Sequence, residues 1–590
     1  MPASARAREL FVAVVAGLVL TAVMTAPTIT RPGSVARMDS NDGKYSIWNV
    51  AWVAHAILDS PDTVFDANIF YPHEDTLAYS EANLVAGVLA VPVYAATRNP
   101  VAAHNVVVYL VLVFAFVATW WLVRRLTGSA GAGLVAGTGF AFAPYVSAHT
   151  AHIQLLMVFV VPVVLLALHR HVERPGPWRG AVLGASLAVA GLACAYYGIM
   201  TGLAVGLGAL WFAPGQPRPL RYWTGMVVAV VVAAAVVAPA LAPYVSLRRD
   251  TGFKSELNLD EARAYSADVP AYLRGHGGVF VRVLPAALRA RLDEAIGSNG
   301  EVLFPGIVVT GLAIVGLGRL RRRDAPAPTP TLDASAAPVA GPGATAVPWP
   351  PGTTAVARRP AGAPSRVTGF YVVLAVVAAW ASFGPSAGLY SLLGHVVPFM
   401  SFLRAPARFG VIVLFAIAVL AGWGVARLGR GRRRAALACG LTALVALELW
   451  VAWPLREVPP VPPAWRVLAD LPRGGVLVLQ FPYRQNDFHA HAGYMFWSMW
   501  SWQPLLNGYS DFIPDDFREM AVPINGFPDA ESFRLLRDHG ARYVIVDWRT
   551  YNEEATPIMR ARFPAWQEYL RPIVATGDVW LWEIVGWPAG

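Results

Sequence analysis

Two carboxylates three residues apart, in Arg37-Met-Asp39-Ser-Asn-Asp42-Gly-Lys-Tyr45, follow closely on an apolar run at 10–25. A carboxylate beside a bilayer is costly unless it binds an ion or moves a proton, so Asp39 and Asp42 are candidate catalytic groups. Asp42 leads by its spacing to Tyr45, with Asp39 in reserve. A second constellation, Tyr145-Val-Ser-Ala-His149-Thr-Ala-His152-Ile-Gln154, sets two imidazoles three residues apart, where they can share a helix face. With Asp42, His149 and His152 could hold a divalent cation such as Mg or Mn; alternatively they and Gln154 could meet a phosphate oxygen. The blander reading of that pair is two histidines capping helix ends. The third constellation is Phe402-Leu-Arg404-Ala-Pro406-Ala-Arg408-Phe409. Its two arginines flank a proline and can converge on a phosphate with a fork that lysine lacks, either on a substrate or by snorkelling to a lipid headgroup.

Between the first two constellations runs Asp66-Ala-Asn68-Ile-Phe-Tyr71-Pro-His73-Glu74-Asp75, followed by Tyr79-Ser-Glu81-Ala-Asn83. Its density of hydrogen-bonding groups and aromatic rings suits a sugar, with Asp66, Tyr71 and Glu81 as binding candidates. A polar loop ordered by its own side chains accounts for the same residues. Glu301, and Lys254 to Glu256 before it, are further candidates for the lining of the same cavity.

The elements that must position these groups are membrane helices. Of the 590 residues, 56% are hydrophobic and 14% charged, well short of the charged share of about a quarter in soluble domains. The chain reads as a polytopic α-helical membrane protein. Its net charge of +10 is spread over arginine clusters between apolar spans (Arg124-Arg125, Arg170 and Arg174, Arg218 and Arg221, Arg319 to Arg323, Arg427 to Arg434). That is the pattern of a cytoplasmic face and not a nucleic-acid surface. The two cysteines, Cys194 and Cys439, lie in apolar runs and form neither a disulfide framework nor a metal site.

The first apolar run, at 10–25, reads as a retained helix rather than a signal peptide. With every arginine cluster inside, spans follow at 103–123, 132–146, 153–168, 178–196, 199–212, 223–245, 302–317, 370–383, 409–425 and 435–453, about eleven in all. This transmembrane domain occupies 1–453, with outer loops at 27–102 and 246–301 and a Pro- and Ala-rich cytoplasmic loop at 324–366 that reads as disordered. The apolar stretch 84–97 is too short for the ~20 residues of a span and is expected to lie in the outer interface. Residues 454–590 read as a small soluble α/β domain outside the cell, with strands at 476–481, 542–547 and 579–585 and a helix at 529–539.

At Asp42-Gly-Lys-Tyr45 after the first span, with two interfacial helices and then a span ending in Arg124-Arg125-Leu-Thr-Gly-Ser, the chain resembles the C-type membrane glycosyltransferases over most of 1–320. The number of spans, the late Arg-rich outer loop and the outer C-terminal domain also resemble YfhO-type bacterial membrane proteins. The first resemblance implies an inverting transferase of the cytoplasmic membrane, moving a hexose or pentose from a polyprenyl-phosphate donor to an extracytoplasmic glycan, lipid or protein. It implies the first-loop Asp as general base or ion ligand. The acidic pair of the family's next outer loop has no obvious counterpart, and His149 and His152 stand there instead. The competing classes are a lipid-linked glycan flippase, which would call for midplane charges and internal repeats, and a non-catalytic envelope-assembly protein. The spans carry almost no midplane charge beyond Glu448, and no repeat is evident.

Overall fold

The computed structural model describes residues 3–254, 256–275, 285–295, 301–321, 364–397, 399–428, 433–480, 482–483 and 488–588. Most of the stretch expected to be disordered, 324–366, lies outside the described residues. Among the described residues, six helices are long and apolar enough to cross a membrane: Ser4–Met24, Pro100–Thr127, Ala195–Gly215, Pro219–Thr251, Ser365–Ser382 and Pro406–Leu428. The other expected spans also fall on helix, in shorter pieces. The run at 132–146 becomes α5 (Ala130–Ala141) and α6 (Pro144–Ala148), because Pro144 cannot continue the preceding helix. The run at 153–168 becomes α7 (Ile153–Leu156) and α8 (Val160–Glu173), separated by a turn. α9 (Pro177–Ala193) and the helices Ile307–Arg321 and Arg433–Leu449 complete the set. The protein is a multi-pass membrane helix bundle.

The two ends of the bundle differ in chemistry. α4 (Pro100–Thr127) is 28 residues long, which at 1.5 Å per residue is about 42 Å. At its C-terminal end Arg124 pairs with Glu9 of α1 (Ala3–Met24), and Arg125 with Glu173 of α8. At its N-terminal end the Asn105 amide donates to the carbonyls of Pro32 and Val35, both at 2.7 Å. There the chain builds α2 (Asn41–Asp59) and α3 (Leu84–Thr97), the latter only 14 residues long. β1 (Val35–Ala36) pairs antiparallel with β2 (Arg456–Glu457), so the C-terminal region sits at this same end.

That region holds a four-stranded sheet in the order β3–β4–β6–β5, where β3 is Gly475–Leu479, β4 Ala541–Asp547, β5 Leu570–Val574 and β6 Val579–Ile584. β3 and β4 run parallel, joined through the helix Ala530–Asp538, whose Asp529 cap and Ser532 form a capping box. The strand, helix, strand order matches the sequence pattern; β5 was not evident from it. The apolar core of this region does not stop at the sheet. Ile47, Trp48, Ala51 and Trp52 of α2 and Phe70 and Tyr79 of the first loop are buried in it, while Val50 and Ala54 on the other face of α2 join the membrane core. α2 is therefore a wall shared by both bodies.

Candidate active site

Asp42 lies in the first turn of α2, where the positive end of the helix dipole favours a carboxylate. Ser40 caps that turn by accepting the Gly43 amide at 3.4 Å. A β-carbon at Gly43 would overlap the Arg37 carbonyl oxygen, so the glycine is required by close packing of the helix start on the residue that follows β1. Four residues on, the Ser46 hydroxyl accepts the Ile153 amide at 3.0 Å and pins α7 to α2. The result is that His152 Nε2 stands 3.5 Å from Asp42 Oδ2. Burial pushes the His152 imidazole down to about 4, with Asp42 pulling the other way.

Asp39 has a different setting. Arg37 Nε donates to its Oδ1 at 2.9 Å, and the same guanidinium reaches the Thr150 hydroxyl. Arg37, held by Asp39, thus fastens the first loop to Thr150, while Asp42 faces an imidazole.

His149 donates from Nδ1 to the Tyr145 carbonyl at 2.7 Å and presents Nε2 to Glu301 at 3.2 Å. Burial alone would raise the Glu301 carboxyl, but His149, and beyond it Arg408, hold it below the usual range. The two histidine rings are 6.2 Å apart, centre to centre. Among the described residues no group of three His, Cys, Asp or Glu side chains is placed to hold a metal. Asp42 pairs with His152 and His149 with Glu301. Gln154 sits half-buried on α7, two residues past His152.

Both arginines are organised by one residue that sequence reasoning missed, Tyr196. Its hydroxyl accepts the amides of Arg404 at 3.0 Å and Ala405 at 3.3 Å, and its ring lies under the Arg408 guanidinium, 4.3 Å from the centroid. The Arg408 Nε is buried without a hydrogen-bond partner among the described residues. The Arg408 charge faces the carboxylates of Glu301 and Glu81. Glu81 accepts the Ala195 amide at the start of α10 (Ala195–Phe212), and burial raises its carboxyl above the usual range, with Ala195 and Arg408 opposing. The strap carrying Glu81 is rigid: its Ser80 carbonyl and Ala82 amide both bond the Tyr244 hydroxyl, at 3.0 and 2.9 Å.

Arg404 is more exposed and looser, 3.6 Å from Glu261 and 3.7 Å from Asp511. Asp511 also accepts from Lys254 Nζ at 2.9 Å. Burial and the charges of Asp42 and Asp511 push the neighbouring Tyr509 phenol upward, and that phenol packs edge-on to Tyr45 at 5.9 Å. The structure therefore brings together Asp42, His149, His152, Glu301, Glu81, Arg404 and Arg408, from α2, the first outer loop, the segment 147–152, the outer loop 246–301 and the segment 404–408.

Asp66 and Tyr71 are engaged elsewhere. Asp66 accepts the Asp75 amide at 2.9 Å, ordering its own loop, and the Tyr71 amide donates to Leu505 at 2.8 Å within the C-terminal region. Tyr196, Asp511 and Glu261 carried no flag in the sequence. Asp511 follows the aromatic stretch 494–502 in the turn-rich Asn507-Gly-Tyr509-Ser-Asp511, whose composition signals only a loop.

No family model matches the chain, and no curated protein matches it in sequence. Among solved structures, it is similar to the arabinofuranosyltransferase AftD from mycobacteria, with a TM-score of 0.54 and 15% identity over 98% of this chain and 40% of that one. A mutant form of AftD matches with a TM-score of 0.52 and 17% identity, over 98% of this chain and 41% of that one. ArnT from Cupriavidus metallidurans bound to undecaprenyl phosphate aligns over 99% of this chain and 98% of its own at 15% identity, but its TM-score of 0.39 is too low to establish a common fold. The chain shares its fold with the aligned part of AftD. It spans about 40% of the length of the solved transferase it matches.

Proposed function

We propose that this chain is a glycosyltransferase of the cytoplasmic membrane that moves a sugar from a polyprenyl-phosphate carrier to an acceptor on the extracytoplasmic face, with 454–590 on that same face. The observation that carries the reading is the juxtaposition, at one end of the bundle, of a helix-N-terminal carboxylate, Asp42, with two arginines held by one tyrosine. A base for an acceptor hydroxyl and cations for a leaving phosphate are the two requirements of the reaction. The fold shared with AftD supports it.

In the proposed step the acceptor oxygen attacks the anomeric carbon as Asp42 takes its proton. The new carbon–oxygen bond forms opposite the breaking bond to the phosphate oxygen, which inverts the centre. The electron pair stays on that oxygen, so the phosphate gains one negative charge where Arg404 and Arg408 can meet it. Arg408, stacked and half-buried, offers a preorganised charge, and its interaction strengthens as the phosphate charge grows. His152, kept neutral by burial, stands beside Asp42 and limits its orientation. Glu81 and Glu301 face Arg408 and offset its charge.

The test is transfer from a radiolabelled polyprenyl-phosphate sugar by purified protein in nanodiscs. Asp42→Asn is expected to lower kcat by about a thousandfold with the melting temperature unchanged, and Asp39→Asn to act mainly through loss of the Arg37 contact. Full activity in Asp42→Asn refutes the assignment.

A further inference from the structure

Among the described residues, Asp511 is the carboxylate that the C-terminal region extends onto Lys254 of the outer loop 246–301 and Arg404. Its Oδ2 holds Lys254 at 2.9 Å, while its Oδ1 stands 3.7 Å from Arg404. The Lys254 backbone is left-handed, φ 50°, two residues after Gly252 at φ 70°. That conformation is costly for a residue with a side chain and folds the chain back after α11 (Pro219–Thr251). It brings the ammonium 5.8 Å from the Phe402 ring, two residues before Arg404. Two cations from two loops thus converge on one carboxylate from a third element.

The Arg404 contacts are beyond hydrogen-bond length on both sides, to Asp511 and to Glu261 at 3.6 Å, and 45% of its side chain is exposed. Its fork is shared between two acids and satisfied by neither. A phosphate offers more acceptor oxygens than a carboxylate and suits that fork bidentately.

We propose that Asp511 is an exchangeable counter-ion, from which the phosphate of the lipid carrier takes Arg404 and Lys254 and to which they return when the lipid phosphate leaves. This rests on the reading of the site as one that binds a polyprenyl phosphate. As the phosphate charge grows during transfer, the competition tips further from Asp511; after transfer, the waiting carboxylate helps to discharge the product. The C-terminal region thereby registers occupancy of the donor site.

The probe is farnesyl phosphate, titrated into the full chain in nanodiscs and followed by tryptophan fluorescence. Asp511→Asn is expected to tighten binding roughly five- to tenfold and to lower kcat through slower product release. Lys254→Gln weakens binding, and the double variant loses the gain. Asp538→Asn, on the same region's surface, changes nothing. Weaker or unaltered binding in Asp511→Asn overturns the proposal. In the unmodified protein, saturating farnesyl phosphate is expected to raise amide hydrogen exchange over 509–513, and unaltered or slower exchange there overturns it independently of any variant's folding. Binding without turnover of any polyprenyl-phosphate sugar would sink the transferase reading and leave the counter-ion exchange standing. Turnover with no tightening in Asp511→Asn would do the reverse.

Discussion

Tyr196 allows the contributions of the two arginines to be separated. Tyr196→Phe keeps the ring beneath Arg408 and deletes the acceptor of the Arg404 and Ala405 amides, at 3.0 and 3.3 Å. Ala405 is 3% exposed, so water does not readily replace the hydroxyl. Stranding such donors costs about 1–3 kcal/mol. Relaxation of the Arg404 segment by about 1.4 kcal/mol corresponds to about a tenfold loss of transfer. Because the phosphate charge grows toward the transition state, the loss should fall on kcat more than on the donor KM. Tyr196→Leu also removes the ring 4.3 Å from the Arg408 guanidinium. A cation–π contact of about 0.5–2 kcal/mol gives a further loss of roughly two- to thirtyfold. Initial rates against donor concentration, with melting curves for each variant, measure both effects. Equal activity in Tyr196→Phe and the unmodified protein, or equal loss in the Phe and Leu variants, refutes the division of labour.

Arg408→Lys keeps the charge but loses the planar stack and the fork, and kcat should fall by about 10- to 100-fold in the same transfer assay. Gly43→Ala drives a methyl into the Arg37 carbonyl and should lower thermal stability by about 1–3 kcal/mol together with activity, read by melting and transfer on one preparation. His539 and Asp516, 3.5 Å apart, give a pH signature. Their mutual hydrogen bond raises His539 above the ordinary imidazole value and, with His73, holds Asp516 well below the carboxylate range. The His539 contribution is complete below its unfolded value near 6.5 and fades as pH rises through the folded one. The Asp516 contribution is complete above its unfolded value of 3.8 and fades only in strong acid. Melting temperatures of His539→Gln should therefore differ from those of the unmodified protein most between about pH 4 and 6.5 and converge at alkaline pH; a constant difference across pH would contradict this.

The site was legible where its chemistry is local. Asp42 precedes a glycine that close packing demands, and Arg404 and Arg408 flank a proline within five residues. His149 and Glu301 were each flagged, but their pairing spans two loops, and no periodicity encodes it. Tyr196 reads in the sequence as one more aromatic at a helix start, and its role comes from tertiary contact with a segment 208 residues away. The span pattern followed hydropathy and arginine placement, but one run breaks before Pro144 while α11 continues through Pro239 and Pro243, a difference that hydropathy does not encode. Asp66 and Tyr71 had the composition of a sugar site because a polar loop and a sugar site use the same residue types.

The union of the first loop with the C-terminal region has a consequence for biosynthesis. Asn68 donates to Ser498 and Gln503, and Trp48 and Phe70 are buried among residues that emerge from the ribosome more than 400 positions later. Until residues 491–548 have been made and delivered to that side of the bundle, an aromatic surface on α2 waits without its cover. Long-range closure of this kind is slow and leaves apolar faces open to wrong partners. Closure of this end of the bundle therefore waits on the C-terminal region, and a chain stalled before residue 491 would leave the aromatic face of α2 uncovered.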